Sequence, residues 1–255
     1  MKLLESIKRQ IPNLITLGNL LCGVLATGFA VGGSLRRASI LICFGIFLDF
    51  FDGLAARLLK VASPLGKELD SLADVVTSGV APAFILSSLV YNAYNCFGGG
   101  RIVFWLGLAA FLMPLFAAYR LAKFNLDERQ HHSFLGLPVP ANALIWVGIA
   151  LTTNCCTFCP EALAPVVAHP IVPYCLIAVS LITNVLMVSE VPMFSLKFNF
   201  KDLSWRTNHI QYIFLIGCAA IIAATRQWYA ISLIILWYIL LSLITQRKPA
   251  VNEQS

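Results

Sequence analysis

Apolar residues run along this chain in long blocks, separated by short polar or turn-rich segments. Eight blocks stand out, at about 12–33, 38–59, 70–93, 101–122, 138–154, 170–189, 210–226 and 228–246. A bilayer crossing takes about 20 apolar residues in a helix. Hydrocarbon offers no partner for unpaired backbone groups, so the blocks predict transmembrane helices rather than isolated strands. No stretch alternates in the manner of an outer-membrane barrel strand. The pattern therefore predicts an all-α, polytopic membrane bundle of about eight helices, a single domain over residues 1–246 with a solvated tail at 247–255. The connections are short except at about 123–137 and 190–209. The second of these, with Pro192, Lys197, Lys201, Trp205 and Arg206, reads as a basic-aromatic segment lying in the membrane interface.

Composition agrees with that pattern. Of 255 residues, 59% are apolar and 12% charged, and the mean hydropathy is +0.81, which excludes an ordinary soluble domain. Basic residues then orient the bundle. With the amino terminus in the cytoplasm, fourteen of the eighteen lysines and arginines fall on the cytoplasmic side. Only Arg36, Arg37, Arg101 and Arg226 fall outside, and both termini are inside. This predicts an integral protein of the cell (inner) membrane. The net charge of +6 is a topology signal with affinity for anionic membrane lipids. The cations form no single patch, so no nucleic-acid partner is expected. Lys8 and Arg9 precede the first block as in a leader, but no small-residue cleavage site follows, and the span reads as a retained anchor. Cys22, Cys43, Cys175 and Cys218 lie in spans as packing residues. Cys96, Cys155, Cys156 and Cys159 lie in outer loops, where a disulfide stays open and paired zinc spacing is absent.

One stretch breaks the apolar pattern. Asp49, Asp52, Asp70 and Asp74 sit at or within the second and third spans, where ionisable groups are costly and mark function. Asp49, Asp52, Gly53, Ala56 and Arg57 share a helix face, and Gly66, Asp70 and Asp74 repeat the one-turn spacing. If the two spans pair antiparallel, four carboxylates converge. Like charges that close require neutralisation, which Mg²⁺ or Mn²⁺ with oxygen ligands supplies while also holding phosphate. Gly53, Ala56 and Gly66 leave room for a bulky polar ligand, and Arg57 suits its phosphate. Helix-end electrostatics account for Asp70 and Arg57, but not for Asp49 among Phe47, Leu48, Phe50 and Phe51. A cation pathway would string its acids across the bilayer, whereas these bunch toward one face beside Arg57.

The run reads D-x2-D-G-x2-A-R-x8-G-x3-D-x3-D, and in this it resembles the CDP-alcohol phosphotransferase family of integral membrane enzymes. The resemblance implies that Asp49, Asp52, Asp70 and Asp74 bind two divalent ions, with Asp74 also the general base. It further implies that Asp52, Gly53, Ala56, Arg57 and Gly66 hold the CDP moiety, joined by Thr16 and Asn19 of the first span. The implied reaction is attack of an alcohol hydroxyl on the lipid-linked phosphorus of a CDP-lipid, releasing CMP. A homodimer is also implied.

The flanks bear on the acceptor. Ile11-Pro12-Asn13 through Gly23, Leu72-Ala73-Asp74 through Ala83, and Tyr119 through Asn125 are similar to the membrane-embedded phosphatidylserine synthases within that family. So are Gly136 through Pro140 and Leu186 through Ser189. The implied substrates are CDP-diacylglycerol and L-serine, with choline, inositol phosphate or glycerol phosphate as alternative acceptors. Thr77-Ser78-Gly79 departs from the usual Ser-Phe-Gly, and Lys123 replaces the commoner Arg. Arg120 and Lys123 are then candidates for the serine carboxylate and Glu68 for its ammonium.

Overall fold

A computed structural model of the chain describes residues 2–61, 63–95, 102–126, 134–152, 169–194 and 205–245. Its first helices are α1 (Lys2–Val31), α2 (Leu35–Leu59) and α3 (Pro64–Asp74). A π-helical turn over Val75–Val80 joins α3 to α4 (Ala81–Asn95). Then come α5 (Ile102–Ala109), α6 (Leu112–Leu126), β1 (Phe134–Leu135) and α7 (Val139–Thr152). The order closes with α8 (Val172–Val188), β2 (Pro192–Met193), α9 (Trp205–Thr225) and α10 (Ala230–Ile244). Among the described residues each apolar block of the sequence is helical, the third and fourth in more than one segment. Five segments are long and apolar enough to cross a membrane: Gln10–Val31, Leu35–Leu59, Pro64–Asn92, Phe104–Leu126 and Asn208–Thr225. The apolar helices α7, α8 and α10 are shorter.

Proline and capping chemistry set several boundaries. The fourth block is broken at Ala110–Phe111 because the ring of Pro114 excludes the carbonyl four residues earlier. Between α2 and α3 the chain reverses sharply. Lys60 takes the left-handed conformation (φ 54°), and the Val61 amide donates to the Ala56 carbonyl at 3.0 Å, which closes α2 as a Schellman cap. Ser63 then caps α3, its Oγ accepting from the Gly66 amide at 3.0 Å, with Pro64 as the first helical residue. The eight residues between Arg57 and Gly66 are thus one helix stop and one helix start.

The bundle packs closely where α1 and α2 cross the π turn. A β-carbon on Gly23 would lie 2.5 Å from Thr77 Oγ1, and one on Gly45 would lie 2.6 Å from Thr77 Cγ2. Glycine at both positions lets three backbones meet, and Thr77 Oγ1 donates to the Asn19 carbonyl at 2.9 Å across the crossing. Away from this point the core is apolar, built on Ile42, Ile85, Leu86, Leu89, Met113 and Trp146. Large apolar side chains such as Phe44, Phe47 and Phe50 face outward from α2, as a lipid-facing surface requires.

The sequence did not anticipate a small antiparallel pair, Phe134 with Met193 and Leu135 with Pro192. It ties the two long connections together beside the end of α8. Cys22, Cys43, Cys175 and Cys218 are free thiols, with Cys175 exposed on α8 rather than packed inside. Cys96, Cys155, Cys156, Cys159, Lys197, Lys201 and the tail lie outside the described residues.

Candidate active site

The α2–α3 reversal brings the acidic faces of both helices together. Ligand oxygens of Asp49, Asp52 and Asp70 all lie within 4.8 Å of one another. Asp74, one turn beyond Asp70, is buried and close enough to Asp49 to interact with it directly. It stands outside the tightest group of three. Two unit charges 4 Å apart repel by about 4 kcal/mol at the effective dielectric of a protein, so this grouping favours a bound cation. The donor set is all carboxylate oxygen, the choice of Mg²⁺ and Mn²⁺. Asp70 Oδ1 is buried with no hydrogen-bond partner among the described residues, an oxygen available to a metal.

Helix α1 supplies polar side chains to the acids. The Thr16 hydroxyl lies 2.5 Å from Asp52 Oδ2 and 3.0 Å from the Pro12 carbonyl. One turn on, Asn19 Nδ2 donates to Asp74 Oδ1 at 3.4 Å. Thr16 and Asn19 thus each approach a different carboxylate, because a three-residue step on a helix keeps them on one face.

Beside the acids opens a cavity of about 320 Å³, lined by Thr16, Asp52, Gly53, Ala56, Arg57 and Gly66 among others. That is every residue expected around the nucleotide except Asn19, which faces Asp74 and the π turn instead. A β-carbon on Gly53 would meet nothing within 4 Å, so its position is open to a ligand. The size falls at the lower end of small-molecule clefts, about 300–1,000 Å³. Arg57 is exposed, its Nε donating to the Gly53 carbonyl at 3.0 Å. Asn13, one turn before Thr16, also lines the cavity, as do Ser63 and Lys67, which were missed from sequence. The signal for Lys67 was its place directly after Gly66 in the motif. Its Nζ donates to the Asn125 carbonyl at 3.1 Å, which ties α3 to α6.

The residues considered for an acceptor divide. Arg120 is buried near the end of α6, with its guanidinium carbon 5.5 Å from the centre of the Phe124 ring and its charge acting on Asp74. Arg120 and Lys123 line a second, much smaller cavity with Leu135, Met187, Val188 and Ser189. Lys123 Nζ pairs with Glu190 at 3.2 Å. Glu68 is exposed on α3 and lines neither cavity.

A family profile described as CDP-alcohol phosphatidyltransferase matches residues 9–193 of the chain. A Bacillus subtilis (strain 168) protein named CDP-diacylglycerol–serine O-phosphatidyltransferase is 38% identical over 144 residues, 56% of this chain and 77% of that protein. A Helicobacter pylori (strain J99) protein of the same name is 38% identical over 146 residues, 56% of this chain and 58% of its own length. A Methanocaldococcus jannaschii protein so named is 35% identical over 144 residues, covering 56% of this chain and 62% of that one. The chain thus spans about three-fifths of the length of the last two relatives.

Proposed function

The chain belongs to the CDP-alcohol phosphatidyltransferase family, and from that premise we propose that it transfers the phosphatidyl group of CDP-diacylglycerol to L-serine, giving phosphatidylserine and CMP. The observation that carries the reading is the grouping of Asp49, Asp52 and Asp70, with ligand oxygens within 4.8 Å of one another, beside a cavity lined by the Gly53, Ala56 and Arg57 face. Serine as acceptor draws support from the names of the relatives.

In this reading Asp49, Asp52 and Asp70, with Asp74, hold two divalent ions, Mg²⁺ or Mn²⁺. Bound there, they would neutralise the charge of the pyrophosphate and of the departing CMP. Gly53, Ala56 and Gly66 give the CDP head a surface without side-chain obstruction, and Arg57 and Lys67 bring positive charge to its phosphates. Thr16 fixes the rotamer of Asp52. Asp74, oriented by Asn19, takes the proton of the attacking hydroxyl as the new oxygen–phosphorus bond forms and the bond to CMP breaks. The lipid tails stay in the bilayer. The bias of basic residues supports a cytoplasmic site with both termini inside, in eight spans, and family resemblance supports a homodimer.

The test is CMP release by the purified full-length protein given CDP-diacylglycerol, Mn²⁺ or Mg²⁺, and L-serine. Serine-dependent CMP is expected, with loss on chelation and recovery on adding either ion. Asp74→Asn should abolish turnover while CDP-diacylglycerol still binds; normal turnover would remove the base role. CMP with another alcohol but none with serine would overturn the acceptor assignment.

A further inference from the structure

Helix α3 carries its polar residues in one-turn steps. Lys67 lies three residues before Asp70 and four before Ser71, so the three share a face. That face meets the end of α6, which is remote in sequence. Lys67 Nζ donates to the Asn125 carbonyl at 3.1 Å. The Asn125 side chain returns the contact, its Nδ2 donating to Ser71 Oγ at 2.9 Å. Ser71 Oγ in turn donates to the Lys67 carbonyl at 3.2 Å. One asparagine thus grips α3 at two points, one on each side of Asp70.

The chemistry of each partner favours this arrangement. Helix α6 ends at Leu126, so no amide within the helix is left for the Asn125 carbonyl, and the last turn of a helix favours a cation. Lys67 is exposed, with a long side chain that would otherwise sample many rotamers. It lines the larger cavity together with Gly66 and Asp70. An ammonium has three protons to donate. The Asn125 carbonyl takes one, and it is the only acceptor for Lys67 Nζ among the described residues. Two remain for oxygens brought into the cavity. Arg57, the other cation of that lining, is held differently, its Nε bonding the Gly53 carbonyl of its own helix.

We propose that Asn125 is a positioning residue for the donor substrate. It holds the Lys67 ammonium beside the larger cavity, set for the pyrophosphate of a CDP-lipid, and so reduces the rotamer freedom that binding would otherwise remove. The proposal rests on reading that cavity as the CDP-lipid site and is independent of the acceptor. Asn125 does not line the cavity itself; it acts through Lys67.

The test is a double-mutant cycle read in KM for CDP-diacylglycerol. CMP release is measured for the full chain in detergent, with saturating Mn²⁺ and whichever alcohol the wild type uses. Lys67→Met should raise that KM about tenfold or more, the scale of a hydrogen bond to a charged group. Asn125→Ala should raise it about three- to tenfold, within the rotamer freedom of a lysine, with kcat nearly unchanged. Ser71→Ala breaks the bridge from the other side, so it should follow Asn125→Ala, and it stands in if that variant does not fold. Ser71→Thr keeps the hydroxyl and should follow wild type. In the Lys67→Met background, Asn125→Ala should add nothing further to KM. The proposal is overturned if Asn125→Ala raises KM by the same factor with and without Lys67, or if Lys67→Met leaves KM at the wild-type value. It is also overturned if Asn125→Ala raises only the Mn²⁺ concentration required, which would make the grip a brace for Asp70. Wild type that releases no CMP from CDP-diacylglycerol with any alcohol would end the parent reading and this one with it. That outcome is distinct from CMP release that is insensitive to Asn125.

Discussion

Gly45 offers the sharpest test of how the acidic site is held in place. In Gly45→Ala the new β-carbon would lie 2.6 Å from Thr77 Cγ2, 2.9 Å from Asn19 Oδ1 and 3.3 Å from Cys22 Cβ. Carbon atoms pack best at about 3.5–4.0 Å, so α2 and the π turn must part by about 1 Å at this crossing. Overpacking on that scale costs about 1–3 kcal/mol. At about 2–4 °C per kcal/mol for a chain of this size, Tm should fall by roughly 2–12 °C. Turnover should fall too, because the carbon also presses on Asn19, the partner of Asp74. Thr77→Ser removes Cγ2 but keeps the hydroxyl bonded to the Asn19 carbonyl, so the pair Gly45→Ala with Thr77→Ser should regain most of the lost Tm. The same rescue should fail for Gly23→Ala, whose added carbon would lie 2.8 Å from both the backbone nitrogen and the Cα of Thr77. Thermal unfolding in detergent followed by tryptophan fluorescence reads the first effect, and CMP release the second. A Gly45→Ala variant that melts with wild type, or equal rescue of both alanine variants, refutes the packing argument.

Two further substitutions probe the same region. Thr16→Val keeps the shape but loses the hydroxyl beside Asp52; a hydrogen bond to a charged group is worth about 1.5–3 kcal/mol, so kcat/KM for CDP-diacylglycerol in the proposed reaction should drop about 10- to 150-fold while Thr16→Ser stays near wild type, and equal activity of the two would remove the role of the hydroxyl. Lys60→Gly relieves a left-handed residue at the end of α2, a strain of about 1–2 kcal/mol; Tm should rise by a few degrees with kcat unchanged, and a lower Tm would show that the cap depends on the lysine side chain.

The acidic site was legible because its information is local. Asp49 and Asp52 share one turn, Asp70 and Asp74 another, and the eight-residue gap contains its own stop at Lys60 and start at Ser63–Pro64. Periodicity likewise marked the helices, since lipid and protein both reward apolar surface at helical spacing. What stayed hidden depends on distant parts of the chain. No local signal separates a π turn at Val75–Val80 from an ordinary helix; it is visible only in how Gly23 and Gly45 close on Thr77. Asn19 and Thr16 lie on one face, and sequence assigned both to the nucleotide, yet only Thr16 lines that cavity. The pairing of Phe134–Leu135 with Pro192–Met193 joins residues far apart in sequence through strands too short to carry a pattern.

The α2–α3 reversal has a consequence for how such a protein is assembled and diversified. Every side chain around the larger cavity comes from between Pro12 and Asp70, so this half of the site closes through contacts between near neighbours and can form early in synthesis. The smaller cleft draws on residues from Arg120 to Ser189 and awaits the later helices. The linings of the two cavities are therefore written in separate stretches of the chain. A library of substitutions confined to the later stretch leaves the lining of the larger cavity as it is.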